Sequence, residues 1–285
     1  MIFKVKKAII PVAGMGTRFL PATKAIPKEM LPVCDKPVIQ YLVEEAVASG
    51  IDTIIFVTNR HKASIGDHFS KNSDFEAMLR RAKKYELLSK IKDLHKLAKF
   101  VYVRQDEPAG SGDAIARARG IIGDEPFAVF YADDIVHSKV PALGQLIKAY
   151  EKHNASVLGL CKVPRQDTRL YGIAKLSRPV LDNRVEKLVE KPEPKYAPSL
   201  LASVGRFVLT PEIFPKIAKV KKKNGEVYLA DAIDALAKEG RVYGHELEGT
   251  WYDCGSKAGF LKANLAFALE HPELKREMRK ILKEA

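Results

Sequence analysis

Residues 7–17 constrain this chain more than any other stretch. Ala8 to Val12 is an unbroken apolar run, and Ala13-Gly14-Met15-Gly16-Thr17 comes directly after it. A short apolar run cut off by glycine reads as a buried strand. Glycines let backbone N–H groups approach an anion with no Cβ in the way. Arg18 and Lys28 then bring two cations within ten residues of each other. A strand, an amide-rich turn and fixed cations suit a polyphosphate. Gly-x-Gly alone is common, and two stricter patterns fail. Phe19 stands where G-x-G-x-x-G needs its third glycine, and the P-loop spacing is absent.

The next forty residues repeat the strand-loop-helix theme. Pro37 opens a helix with Ile39, Leu42, Val43, Ala46 and Val47 on one face, and Gly50 ends it. Ile54 to Val57 is the next buried strand. The fold class expected is α/β, a doubly wound and mostly parallel mixed sheet flanked by helices. One domain over 1–285 is expected: nucleotide-binding to about 135, a second part over 136–255, and helices over 256–285. Residues 59–99 read as a charged helical insertion without function, Ser73 capping a helix whose face is Phe75, Met78, Leu79 and Ala82. The tail helix, 272–285, carries a stripe of Leu274, Met278, Ile281 and Leu282, suited to core packing or a subunit contact.

The net charge of +13 draws anionic partners. The basic runs lack the interleaved aromatics of a single-strand binder, so they read as solvated helix faces and nucleic acid is not expected. No apolar run approaches the roughly 20 residues of a membrane span, and residues 1–7 lack the apolar core of a signal peptide. Cys34, Cys161 and Cys254 are too scattered for a metal site and suit free thiols in a cytoplasm.

Two further loops carry chemistry. Gln105-Asp106-Glu107-Pro108-Ala109-Gly110-Ser111-Gly112-Asp113 comes after a strand and opens a helix. Gln105 can donate and accept, which suits a pyrimidine edge; the segment also reads as a plain polar turn. Asp133-Asp134 ends the strand Phe127–Tyr131, a frequent place for Mg²⁺ ligands in phosphate chemistry and equally for a turn cap.

The strings Ala-Gly-x-Gly-Thr-Arg-Phe-Leu-Pro-Ala-Thr and Pro-Lys-Glu-Met-Leu-Pro, with Trp251-Tyr252-Asp253-Cys254-Gly255-Ser256 near the end, closely resemble sugar-nucleotide pyrophosphorylases. The similarity is to their bacterial-type UTP–glucose-1-phosphate uridylyltransferase branch and runs from Lys7 to about Ala268. It implies synthesis of UDP-glucose and pyrophosphate from UTP and glucose 1-phosphate, with Mg²⁺, by a cytoplasmic homodimer or homotetramer. It also implies roles. Arg18 and Lys28 act on the phosphates. Ala13, Gly14, Gly16, Thr17, Glu29, Gln105 and Gly110 bind the nucleotide, with Asp134 beside the nucleoside. Gly172, Glu190, Lys191 and Val204 shape the sugar site, and Asp133 and Asp253 bind the metal. Relatives often carry histidine at Asp113, and usually Gln and Thr where this chain has Tyr228 and Ala230. The same chemistry with dTTP or another sugar phosphate, or a non-catalytic nucleotide-sugar-binding protein, are the competing expectations.

Overall fold

The first strand, β1 (Lys7–Pro11), forms where the apolar run predicts, and Ala8, Ile9 and Ile10 are fully buried. The computed structural model describes residues 2–177 and 183–284. β1 lies parallel to β2 (Thr53–Thr58), which lies parallel to β3 (Lys99–Arg104); on its other side β1 lies parallel to β4 (Phe127–Phe130). The order 3-2-1-4 reverses the winding between β1 and β4. Doubly wound sheets bind ligands outside the strand carboxyl ends at such a reversal. The glycine loop leaves β1 there, and Asp133 lies just past β4.

The chain then turns through the short β5 (Asp134–His137) and adds antiparallel strands: β6 (Ser156–Lys162), β7 (Gly172–Leu176), β8 (Val185–Glu190) and β9 (Leu201–Leu209). The long β9 pairs with β4 through Arg206–Leu209, with β7 through Leu201–Ser203, and with β6 along its other edge. β8 lies beside β7, and β10 (Val242–Glu246) runs parallel to β6. These make one nine-stranded sheet, parallel in its first half and largely antiparallel in its second. β11 (Thr250–Asp253) pairs with β5 in a separate ribbon whose register sets Asp253 opposite Asp134.

Apolar cores fill both faces. α1 (Val38–Ala48) covers one, burying Ile39, Leu42, Val43 and Ala46, and the helix Ala142–His153 lies beside it. Pro37 is the α1 N-cap, and Gly50, with φ of +92°, supplies the turn that releases the chain to β2. The helices Ser111–Arg117, Ile213–Ile217 and Leu229–Ala237 cover the other face.

Three local expectations need correction. In the insertion the helix Ser73–Arg81 is capped by Asn72, whose Oδ1 accepts from the Phe75 N–H, and not by Ser73. Its expected apolar face is only partly used: Leu79 is buried, whereas Phe75 and Met78 are about half exposed. The tail helix Lys275–Glu284 buries nothing, and Leu274, Ile281 and Leu282 stay exposed, so it does not pack into the core. Among the described residues no helix is long and apolar enough to cross a membrane.

Candidate active site

Two cavities open at the carboxyl ends of β1 and β4, of about 320 and 360 Å³. Tyr131, Asp133, Glu190 and Lys191 border both and form the seam between them. The first cavity is walled by the glycine loop through Ala13 and Gly14, by Lys28 and Glu29, and by Gln105 and Gly110. The second is walled by Arg18, Gly172, Asp253 and Ser203.

The glycine loop holds its shape by local geometry. Gly16 has φ of +65° and starts the 3₁₀ turn Thr17–Phe19. A Cβ there would come 3.1 Å from Cβ of Lys28, so the bare glycine lets Lys28 pass close behind the loop. Arg18 donates from Nη1 to the Gly255 carbonyl at 3.4 Å, tying this loop to the segment after β11. The opposite loop is pinned by Val227, whose N–H donates to the Ala109 carbonyl and whose carbonyl accepts from the Gly112 N–H, each at 2.8 Å. Gly110, with φ of +93°, sits where a Cβ would strike the Val227 carbonyl at 2.5 Å.

The acids meet at the seam. The β5–β11 register and a 2.7 Å bond from the Cys254 N–H to the Asp133 carbonyl bring Asp253 beside Asp133. A Cβ on Gly255 would lie 2.5 Å from Oδ2 of Asp133 and 3.0 Å from Oδ1 of Asp253, so both carboxylates converge over a residue with no side chain. Ser256 caps the helix Lys257–Glu270 by accepting from the Gly259 N–H, which leaves Asp253 free of that duty. Asp253 accepts from the Tyr171 hydroxyl at 3.1 Å. Lys28 Nζ lies 2.5 Å from Asp133 Oδ2.

Charge at this point is strongly coupled. Burial works to raise the Asp133 pKa, but Lys28 and Arg18 hold it below the usual carboxylate value. Burial, with the charge of Asp133, raises Asp253. Burial opposes the charge on Lys28, yet Asp133 and Glu29 lift its pKa above that of free lysine. Clusters of perturbed groups in a cleft mark functional sites. Two carboxylates brought together as hard oxygen donors fit Mg²⁺, which commonly takes one or two protein carboxylates and completes its shell with phosphate and water. Among the described residues no cluster of three or more metal-binding side chains forms.

Across the seam, the ladder sets Glu190, Gly172 and Ser203 abreast on β8, β7 and β9. A Cβ on Gly172 would approach Oε2 of Glu190 at 3.3 Å. Burial raises the Glu190 pKa against the pull of Lys191. Lys191 has φ of +44°, a left-handed conformation that costs a non-glycine residue roughly 1 kcal/mol or more. A 3.0 Å bond from its N–H to the Tyr171 carbonyl helps to hold it there.

The structure thus gathers Arg18, Lys28, Asp133, Asp253, Glu190 and Lys191, and sets others apart. Gly16 and Thr17 border neither cavity. Val204 is buried in the core with its side chain off the cleft, and its neighbour Ser203 faces the second cavity instead. Asp134 borders the second cavity and not the first, although it is expected beside the nucleoside. Its oxygens accept from Trp251 Nε1 at 2.6 Å and from the Gly205 N–H at 3.0 Å. Burial, with Asp133 and Asp253 close by, pushes its pKa up to about 7. Glu29 is bound through both oxygens to Lys62, at 2.9 and 2.7 Å, in a buried pair. Tyr228 borders the first cavity and Ala230 the second.

Sequence reasoning missed Lys62, Ser203 and Tyr131. Lys62 lies in the insertion read as functionless, and a single lysine there carries no pattern. Ser203 has a buried hydroxyl with no partner among the described residues, at the second cavity wall. Buried polar groups are rarely left so. Only the three-strand register reveals it.

Known proteins match this chain along nearly its whole length. Residues 7–270 match the nucleotidyl transferase family. A UTP–glucose-1-phosphate uridylyltransferase of Staphylococcus epidermidis is 47% identical over 283 residues, covering 99% of this chain and 98% of its own length. A second such enzyme, from Staphylococcus saprophyticus, is 49% identical over 282 residues, with 98% of each covered. Among solved structures, a UTP-bound UDP-glucose pyrophosphorylase of Acinetobacter baumannii superimposes with a TM-score of 0.89 at 37% identity, covering 98% of this chain and 99% of its own. A UDP-glucose pyrophosphorylase complexed with UDP-glucose gives 0.85 at 38% identity, covering 94% and 100%. The chain belongs to the nucleotidyl transferase family, within its UTP–glucose-1-phosphate uridylyltransferases.

Proposed function

We propose that this site joins UTP to glucose 1-phosphate, giving UDP-glucose and pyrophosphate. The observation that carries the reading is the meeting of Asp133 and Asp253 at the seam of two cavities, with Lys28, Arg18 and Lys191 around it. The nucleotide takes the cavity of the glycine loop, where backbone N–H groups near Ala13 and Gly14 approach the phosphates. The base lies toward Gln105 and Gly110. The sugar takes the other cavity, where Glu190 accepts from its hydroxyls, Gly172 leaves it room and the Ser203 hydroxyl gains a partner.

An oxygen of the sugar phosphate attacks the α-phosphorus of UTP. The bond from that phosphorus to the bridging oxygen on the β side breaks, and its electron pair leaves with pyrophosphate. The nucleophile is already an anion, so no residue has to remove a proton from it. The barrier is the approach of two anions and the charge that develops on the leaving group. Positioning and electrostatics are therefore what the protein must supply. Lys191 holds the sugar phosphate as a point charge. Arg18, fixed on the glycine loop, and Lys28 offset the triphosphate charge. Asp133 and Asp253 would hold Mg²⁺, which when bound screens the phosphates of both substrates from each other.

The test is a pyrophosphate-release assay crossing UTP, dTTP, ATP and GTP with glucose 1-phosphate, with and without chelator. Turnover is expected with UTP and is expected to stop in chelator. Equal rates with dTTP would overturn the uridylyl preference, and undiminished turnover in chelator would remove the metal from the reading.

A further inference from the structure

Gln105 stands at the end of β3, almost fully buried in the wall of the first cavity. Its Nε2 faces two acceptors. It donates to Oδ2 of Asp113 at 2.7 Å and to the Gly110 carbonyl at 3.3 Å. The same Asp113 oxygen accepts from Arg117 Nε at 2.7 Å, and Arg117 donates from Nη1 to the Arg104 carbonyl at 3.4 Å. Asp113 is therefore anchored from behind, one helical turn from its arginine.

A primary amide has two unlike ends: NH₂ only donates and C=O only accepts. A carboxylate and a carbonyl can face only the NH₂ end. If Gln105 turned over, its oxygen would meet two oxygens, and a buried amide in that position loses both hydrogen bonds. Its Oε1 accepts no hydrogen bond among the described residues, and it is the end left for a ligand.

We infer that Asp113 is the positioning residue that decides which end of Gln105 the nucleobase meets, and that the end it leaves is an acceptor. This rests on the reading that Gln105 meets the base. An acceptor selects a pyrimidine whose N3 carries a hydrogen, as in uracil and thymine. Cytosine, whose N3 is a lone pair, meets oxygen with nitrogen and loses the bond. The Asp113–Gln105 pair thus selects UTP over CTP by protonation pattern, not by size. Sites built to hydrogen-bond one partner reject its mismatched analogue strongly, because a buried polar group is left unpaired.

The test compares kcat/KM for UTP and CTP, at saturating glucose 1-phosphate, in wild type, Asp113→Asn and Asp113→Ala. The amide that Asp113→Asn introduces can donate to the Gln105 oxygen or accept from its NH₂, so only the longer 3.3 Å bond to the Gly110 carbonyl still favours the original orientation and Gln105 can turn. Asp113→Ala removes the carboxylate altogether and serves if the first variant folds poorly. In both, the preference for UTP over CTP is expected to fall by about tenfold or more, mainly through a rise in KM for UTP. An unchanged ratio, or an equal loss with both nucleotides, overturns the inference and leaves Asp113 a purely structural residue. Gln105→Ala separates the two layers. If it erases the preference while the Asp113 variants keep it, only the role of Asp113 falls. If it leaves the preference intact, Gln105 does not meet the base and both readings fall together.

Discussion

Asp133 stands near two cations, Lys28 and Arg18, and two other acids, Asp134 and Asp253. Its pKa lies below the usual carboxylate value, so the cations outweigh burial and the neighbouring acids. Its charge therefore adds modestly to folding stability at neutral pH, a gain lost as pH falls through that lowered pKa. Asp133→Asn should lower the melting temperature only slightly and lower kcat by roughly 10²–10³-fold, the scale of losing one preorganised charge contact. A thermal scan beside the pyrophosphate assay checks both halves, and unfolding of the variant would make the residue structural. The Glu29–Lys62 pair should behave in the opposite way. Both side chains are buried, and burial pushes the glutamate pKa up and the lysine pKa down against their mutual attraction. Lys62→Met strands a buried carboxylate and should cost about 3–5 kcal/mol, whereas adding Glu29→Gln should recover much of it. Urea unfolding of the single and double variants measures the difference. Neither the pair nor its burial was legible beforehand, because Lys62 lies 33 positions from its partner in a segment that reads as solvated.

At the scale of elements, the strand β9 is organised by a charge. Arg206 is fully buried, and each of its three guanidinium nitrogens donates a hydrogen bond. It forks onto Glu45 of α1, Nε to Oε1 at 3.0 Å and Nη2 to Oε2 at 2.9 Å. It also donates to the Asp134 carbonyl at 2.7 Å and the Gly205 carbonyl at 2.9 Å, and it lies over the Phe130 ring. Glu45 in turn accepts from the Leu143 N–H at the start of the helix Ala142–His153. One ion pair thus joins β9, α1, β5 and that helix directly behind the seam. Lysine cannot reproduce the planar fork. Arg206→Lys should cost about 3–5 kcal/mol in denaturant unfolding and should also depress kcat, since the strand end carrying Asp133 and Asp134 loses its anchor. Full activity in a destabilised variant would show that the anchor matters to folding alone. Glu45 and Arg206 are 161 positions apart. From sequence the segment around Val204 reads as part of a sugar site. That its arginine is an internal strut comes only from the register of β9 against β4. By contrast α1 was legible almost to the residue, because its apolar spacing and its Pro37 and Gly50 punctuation are local signals.

The same division holds for the whole molecule. The parallel half of the sheet rests on local signals, since β1, β2 and β3 each run into their own loop and helix. The antiparallel half depends on which distant strands pair. Nothing near residue 201 says that β9 will hold β4 at one end and β7 at the other. That pairing also bears on cooperativity. Chains well above 150 residues commonly unfold through intermediates, and the two cavities could mark two units that melt apart. Yet β9 spans both, and the sheet is continuous from the glycine-loop side to the sugar side. The single tryptophan makes this testable. Trp251 sits at the second cavity, donating to Asp134 and packed edge-on against Tyr171 with ring centres 4.8 Å apart. Its fluorescence reports that one place, whereas far-UV circular dichroism reports the whole chain. If one cooperative unit carries the site, the two urea transitions should share a midpoint and a slope. A tryptophan transition at clearly lower urea would mean that the sugar side loosens first. The nucleotide half would then stand as a separate unit, and β9 would be a hinge.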